Sequence, residues 1–160
     1  MKKFLTLFLI ILTAVLNIGC NKKSPEVTLV TTGLKFTLET TLGDTDYEYA
    51  VEIDKNGRFC ATAVLPQSLE GLTYHTEKGQ LFAEFKGLET EISSTEGIIP
   101  TLYGVFSNAS QGNITEADGS IKISGETDVG YCFFVAQTGL PLKLETDSGL
   151  VFYFKSPTII

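Results

Sequence analysis

Hydrophobic and polar residues alternate with a period of two along most of the chain after residue 27. Leu34, Phe36 and Leu38 alternate with polar neighbours, and the pattern returns at 46–54 and 59–65. Because successive side chains of a strand point to opposite faces, this pattern predicts antiparallel strands with one dry and one wet face. Further runs bring the expected total to about nine to eleven strands, at 72–75, 81–85, 88–92, 121–123, 131–135, 140–144 and 150–155.

The first predicted hairpin turns at residues 54–58, and its sequence allows two registers. A two-residue loop at Asn56-Gly57 would place Ile53 opposite Cys60, whereas a three-residue loop would place Ile53 opposite Phe59. The three-residue loop keeps the aromatic row on one face, which a slip of one residue would send to solvent. We therefore expect the three-residue loop, with Gly57 in the left-handed conformation.

One segment departs from the strand pattern. Apolar residues in 101–109 follow the spacing i, i+3, i+4 and i+7, which predicts a short amphipathic helix. Pro100 suits a first helical position, and the polar segment 111–120 is expected to be a loop. The apolar residues of this helix are Leu102, Val105, Phe106 and Ala109.

The first 19 residues have the layout of a secretory signal peptide. Residues 1–3 are basic at two positions, and 4–16 are apolar except for two threonines. This run is short for a membrane span, which needs roughly 20 apolar residues. Gly19 and Cys20 then supply the small residue and the cysteine that lipoprotein processing requires, although Asn17 stands where leucine is usual.

We therefore expect a lipoprotein that is cut before Cys20. Its parts would be a signal peptide at 1–19, a lipidated tether at 20–27 and a single β-rich domain at 28–160. Palmitate-type acyl chains on Cys20 would hold the domain on the outer face of the cell membrane. The alternative is an uncleaved N-terminal anchor helix.

The charge balance narrows the range of partners. Removal of Lys2 and Lys3 would leave ten basic residues against nineteen acidic ones, a net charge of −9. No cluster of lysine or arginine offers a surface for phosphates, so nucleic acid is not an expected partner. Lys22 and Lys23 lie beside the expected anchor, where they are either solvated or in contact with anionic lipid head groups.

Two cysteines remain after Cys20 in the expected domain. Outside the cytoplasm Cys60 and Cys132 could form a disulfide, and the alternative is a pair of separate buried thiols. They lie 72 positions apart in the sequence, so they form neither a CxxC redox motif nor a zinc-ligand pair.

Signatures of catalysis are weak. His75 is the only histidine and falls on the wet face of an expected strand, and no Gly-X-Ser-X-Gly motif is present. The carboxylates between Asp44 and Glu52 lack the spacing of a calcium loop. We expect a protein that is not an enzyme and that has no cofactor and no metal site.

The apolar face leaves two possibilities open. One short helix cannot fully cover the apolar face of a single curved sheet. Either a second sheet closes over this face, or a cavity for an apolar ligand remains.

The segment 138–145 (TGLPLKLE), followed by a turn and by 149–154 (GLVFYF), resembles the closing hairpin of the LolA/LolB-like lipoprotein-carrier superfamily. The segment 65–74 (LPQSLEGLTY) is similar to the point in that group where a strand ends at a proline. The resemblance covers about residues 33–155 and implies an incomplete, half-open β-barrel of antiparallel strands, with the helix at 101–109 as its plug. The hollow of such proteins holds acyl chains.

One departure limits what the resemblance implies. The carriers fasten their lid with an arginine, but Arg58 is the only arginine here and lies at a hairpin turn. The transfer of lipoproteins between membranes is therefore not expected.

These observations favour a membrane-anchored lipoprotein that binds a lipid or another apolar ligand in a half-barrel cavity. The alternative is an envelope lipoprotein with a filled core that binds a protein partner through its surface and has no ligand. The expected cavity-lining residues are Phe36, Leu38, Tyr49, Val51, Tyr74, Phe85, Leu102 and Phe106.

Overall fold

The computed structural model describes residues 27–109, 112–117 and 120–160. The expected signal peptide, Cys20 and most of the expected tether lie outside these residues. Within them the chain forms eleven strands and one α-helix, together with a short 3-10 turn at Gln67–Leu69. The elements are β1 (Leu34–Leu42), β2 (Thr45–Ile53), β3 (Phe59–Leu65), β4 (Thr73–Glu77), β5 (Gln80–Phe85), β6 (Leu88–Ile92), α1 (Ile98–Asn108), β7 (Asn113–Ala117), β8 (Ser120–Glu126), β9 (Gly130–Val135), β10 (Pro141–Thr146) and β11 (Val151–Ile159).

All strands belong to one antiparallel sheet with the order β6-β5-β4-β3-β2-β1-β11-β10-β9-β8-β7. The first and last strands pair in the middle of this sheet, with Leu38 opposite Phe154. The edge strands β6 and β7 do not pair with each other, so the sheet stays open. The expected fold, mainly β with an incomplete barrel and one helix, is confirmed.

The helix α1 connects the two edge strands and covers the inner face of the sheet. Its buried side includes Ile99, Leu102, Val105 and Phe106. The helix begins at Ile98, three residues before the expected start, so Pro100 lies in its first turn and not at its first position. No helix in the described part of the chain is long and apolar enough to cross a membrane.

The hairpin between β2 and β3 has the three-residue loop. Ile53 pairs with Phe59, and the amide of Gly57 donates to the carbonyl of Asp54 at 3.0 Å. Gly57 has φ +81°, a left-handed conformation that glycine adopts without a steric cost. The carboxylate of Asp54 accepts hydrogen bonds from the backbone amides of Asn56 and Arg58, at 2.7 and 2.9 Å.

Three expectations about strands were wrong. Part of the expected loop at 111–120 forms the edge strand β7, whose mixed composition did not indicate a strand. β11 continues to Ile159, past the expected end at Lys155, because a bulge opposite Phe36 takes up Ser156 and Pro157. The alternation in 140–144 placed Leu142 on the same face as Leu140 and Leu144, but a second bulge in β10 removes Leu142 from the inner face and leaves it 43% exposed.

The turns alternate between two ends of the sheet because consecutive strands run in opposite directions. We call the end that carries the segment 27–33 the N-terminal end. This segment packs onto the domain, since Leu29 is 7% exposed and the amide of Val30 donates to the carbonyl of Gly139 at 3.0 Å. This end also holds the turns 54–58, 78–79 and 136–140, and the opposite, distal end holds the turns 43–44, 66–72, 86–87, 127–129 and 147–149.

Candidate functional site

The inner face of the half-barrel is a packed core. Six of the expected cavity-lining residues are buried there, and Tyr74 and Phe85 are half-buried. The six buried residues belong to one hydrophobic cluster that includes the buried side of α1, and Tyr74 packs against this cluster. The six buried residues are Phe36, Leu38, Tyr49, Val51, Leu102 and Phe106.

Four phenylalanine rings hold α1 against the sheet. The ring of Phe106 lies 5.9 Å from Phe36, 5.3 Å from Phe133 and 5.9 Å from Phe154, measured between centroids. Phe133 and Phe154 were not among the expected lining residues, although both alternate correctly on predicted strands. Their place in the cluster depends on the pairing of β9, β10 and β11, which the alternation alone does not give.

A large open space lies at the distal end. A cleft of about 570 Å³ runs between the N-terminus of α1 and three distal turns. We call it the distal cleft. Its apolar lining consists of Leu42, Ile98, Val129 and Leu150.

Glycines shape the rim of the distal cleft. Gly43 and Gly149 lie at turns with φ of +63° and +87°, and Gly97 precedes α1 with φ +118°. All three conformations are strained for residues with a Cβ atom. The hydroxyl of Thr101 donates to the carbonyl of Thr95 at 3.3 Å and joins the preceding loop to the helix.

The charged groups in the lining of the distal cleft are both carboxylates. Glu96 precedes α1 and Asp128 lies in the turn between β8 and β9, and both side chains are exposed. In the described part of the chain neither carboxylate forms an ion pair. Gly97, the N-cap residue of α1, has no side chain that could cap the helix, so the amides of its first turn add a partial positive charge.

None of the expected cavity-lining residues contributes to the distal cleft. Phe106 alone among them borders a smaller cleft, of about 180 Å³, near the N-terminal end. The sequence offered no signal for the distal cleft, because its lining comes from four turns and strand ends that are distant along the chain.

His75 lies on the outer face of β4, as the alternation predicted. Its Nε2 atom is 3.0 Å from Oε1 of Glu89, and its ring stacks on Phe82 with centroids 5.8 Å apart. Cys60 is its neighbour on β3, where partial desolvation raises the pKa of the thiol. A raised pKa disfavours the reactive thiolate, and no described group of acids, cysteines and histidine could hold a metal.

Cys60 and Cys132 are both free. They lie on β3 and β9, five strand spacings apart in the sheet, or about 24 Å at roughly 4.8 Å per spacing. A disulfide requires Cα atoms within about 7 Å, and both side chains are on the outer face. The disulfide alternative is therefore not realised, and the thiols are exposed or half-buried instead of buried.

No known family model matches the chain. No curated protein matches it either. An uncharacterised conserved protein of Thermus thermophilus has a similar structure, with 9% identity, coverage of 82% of this chain and 80% of that one, and a TM-score of 0.54. A LolA superfamily protein of Nitrosomonas europaea is similar with 13% identity, coverage of 87% and 91%, and a TM-score of 0.44. At these identities the likeness concerns the fold alone.

Proposed function

We propose that the protein is a lipoprotein, anchored through Cys20 on the outer face of the membrane, that binds a lipid or another apolar molecule in the distal cleft. The observation that carries the proposal is the distal cleft itself. Its volume of about 570 Å³ lies within the range of small-molecule sites, roughly 300–1,000 Å³.

Leu42 makes the cleft suited to an apolar guest. This side chain is 51% exposed in the lining of the cleft, while Ile98 in the same lining is buried. A ligand that covers Leu42 removes apolar surface from water, at about 25 cal/mol per Å². Val129 and Leu150 are half-buried and line the same space, so a guest would have further apolar contacts there.

The position of the cleft suits a domain held by its N-terminus. Six residues, 21–26, separate Cys20 from Val27, and an extended chain of that length reaches at most about 25 Å. The strands β1 and β2 have nine residues each, or about 30 Å. An anchored domain would therefore keep its N-terminal end near the membrane and open the distal cleft on the opposite side.

Binding suits this lining better than catalysis. Among the described residues that line the cleft, Glu96 and Asp128 are the titratable ones, and none is a histidine, a cysteine or a lysine. Nucleophilic catalysis requires an activated nucleophile with a base beside it. We therefore propose a binding protein that is not an enzyme.

The anchor is tested by feeding labelled palmitate to cells that express the full chain. The label should enter the protein and be lost in Cys20→Ser. Equal labelling of the variant, or no labelling of the original protein, would contradict the anchor.

The ligand is tested on the purified protein by organic extraction with mass spectrometry and by titration with dodecyl maltoside below its micelle concentration. We expect one bound molecule per chain and weaker binding in Val129→Trp, whose larger side chain takes up part of the cleft. Val64→Trp, on the outer face of β3, adds the same ring at a distance and should bind normally. The proposal fails if neither lipid nor dodecyl maltoside binds, or if both variants behave alike.

The filled core supports a second candidate. Because α1 and the phenylalanine cluster occupy the inner face, the domain is also suited to an envelope protein that contacts a partner through its surface and has no ligand. An absence of bound lipid together with a reproducible protein partner in membrane cross-linking would favour this function over the first.

A further inference from the structure

We propose that the distal cleft selects amphiphiles with a positively charged head group and disfavours anionic ones such as fatty acids. The inference rests on the proposed function, because it names the ligand class of the same cleft. The geometry that carries it is an apolar floor with two carboxylates at the rim.

The floor and the rim together match the two parts of such a ligand. Leu42 and Ile98 would contact an alkyl chain, while Glu96 and Asp128 stand where its head group would meet water. Neither carboxylate is neutralised by a lysine or arginine in the described chain, so both charges are available to a guest.

The surroundings extend the same charge. Four further acidic residues lie in or next to the distal turns, against one cation. Clefts whose walls exclude water concentrate the field of such charges and raise the local concentration of ions of opposite sign. The acidic residues are Asp44, Glu70, Glu126 and Asp147, and the cation is Lys86.

The opposite end of the domain does not share this charge. Among the described residues, the turns at this end carry Lys55, Arg58 and Lys78 against Asp54 and Glu77, so they are close to neutral. The negative charge is therefore concentrated at the end that holds the cleft, and the net charge of the chain alone does not account for it.

One feature acts in the other direction. The N-terminus of α1 faces the cleft and contributes about half a positive charge. Pro100 removes one of the amides that an anion would use at such a terminus. Glu96 and Asp128 together bring two full negative charges, so the cleft remains negative after this contribution.

The test compares three amphiphiles with the same twelve-carbon chain, each titrated calorimetrically below its micelle concentration. Dodecyltrimethylammonium should bind roughly tenfold or more tightly than dodecyl sulfate at low salt, with dodecyl maltoside between them. The ratio should shrink as salt increases, because exposed charges are screened over about 10 Å at 0.1 M.

A double variant, Glu96→Gln with Asp128→Asn, should abolish the preference while dodecyl maltoside still binds. The matched control, Glu77→Gln with Glu91→Gln, removes two charges from the N-terminal end and should retain the preference. If the double variant does not fold, the salt dependence measured on the unmodified protein still tests the inference.

The outcomes separate the two proposals. Equal binding of all three amphiphiles, or a preference that survives in the double variant, would overturn charge selection and leave the cleft as a binding site. Failure of all three to bind would overturn the proposed function as well.

Discussion

Replacement of Phe106 by alanine measures how tightly α1 fills the half-barrel. The side chain is 6% exposed and contacts the rings of Phe36, Phe133 and Phe154 at centroid distances of 5.3–5.9 Å. Truncation of a buried phenylalanine loses its transfer free energy and leaves a cavity, at about 3–5 kcal/mol. Since domains of this kind are stable by about 5–15 kcal/mol, the variant should be folded but strongly weakened.

The matched control is Phe134→Ala on the outer face of β9. This ring is half-buried and lies within 5.8 Å of the ammonium groups of Lys122 and Lys143. Exposed contacts of this kind contribute about 0.5–1 kcal/mol each, so we expect a loss of about 1–2 kcal/mol. Both variants delete the same atoms, so the difference between them reports the packing of the inner face.

The assay is urea denaturation of the purified protein, followed by circular dichroism and analysed as one transition. We expect Phe106→Ala to lose at least about 2 kcal/mol more than Phe134→Ala. Equal losses would refute the packed core and would restore the hollow that the sequence suggested for an apolar ligand.

Three further predictions concern other parts of the domain. Gly139→Ala should release the segment 27–33 to limited proteolysis, because its Cβ would collide with a carbonyl of that segment, whereas Gly149→Ala has free space and should only be strained at φ +87°. Asp54→Asn should lower the free energy of unfolding relative to the unmodified protein, with the full difference at neutral pH. The difference should vanish as the pH falls through the pKa of Asp54 in the folded protein, because hydrogen bonds from backbone amides hold the pKa of this carboxyl below its usual value. Cys60 and Cys132 should both react with a thiol reagent without prior reduction. The reaction rate of Cys60 should reach its maximum at a higher pH than is usual for a cysteine, because desolvation raises the pKa of its thiol. Protection of both thiols until reductant is added would contradict the separation of β3 and β9.

The strands were predictable because their signal is local. Alternation requires only neighbouring residues, and burial of one face of β1, with Leu34, Phe36 and Leu38 inside, followed directly from it. The hairpin at 54–58 was equally predictable, since Gly57 permits the turn and one register keeps the aromatic row buried. By contrast β7 and the bulge at Leu142 could not be predicted from the sequence, because an edge strand and a bulge depend on how the neighbouring strands pair.

The candidate site was not predictable in the same way. The sequence indicated an apolar face and a helix, and it suggested that the two enclosed a hollow. The structure shows that Phe106 of α1 is buried on the inner face, and that the distal cleft lies where the N-terminus of the helix meets the distal turns. Whether a helix plugs a half-barrel fully or partly depends on its depth and tilt, which no periodicity encodes.

The sequence by itself determined a strand-built domain with one amphipathic helix, and it predicted a lipidated cysteine at position 20 through a local arrangement of basic, apolar and small residues. Tertiary structure decided which strands pair, where the space remains and which charges surround it. Leu42, Glu96, Asp128 and Leu150 become neighbours only because antiparallel pairing brings the turns at one end of the sheet together. Contacts between residues so distant along the chain depend on the folded sheet as a whole, and no local pattern specifies them.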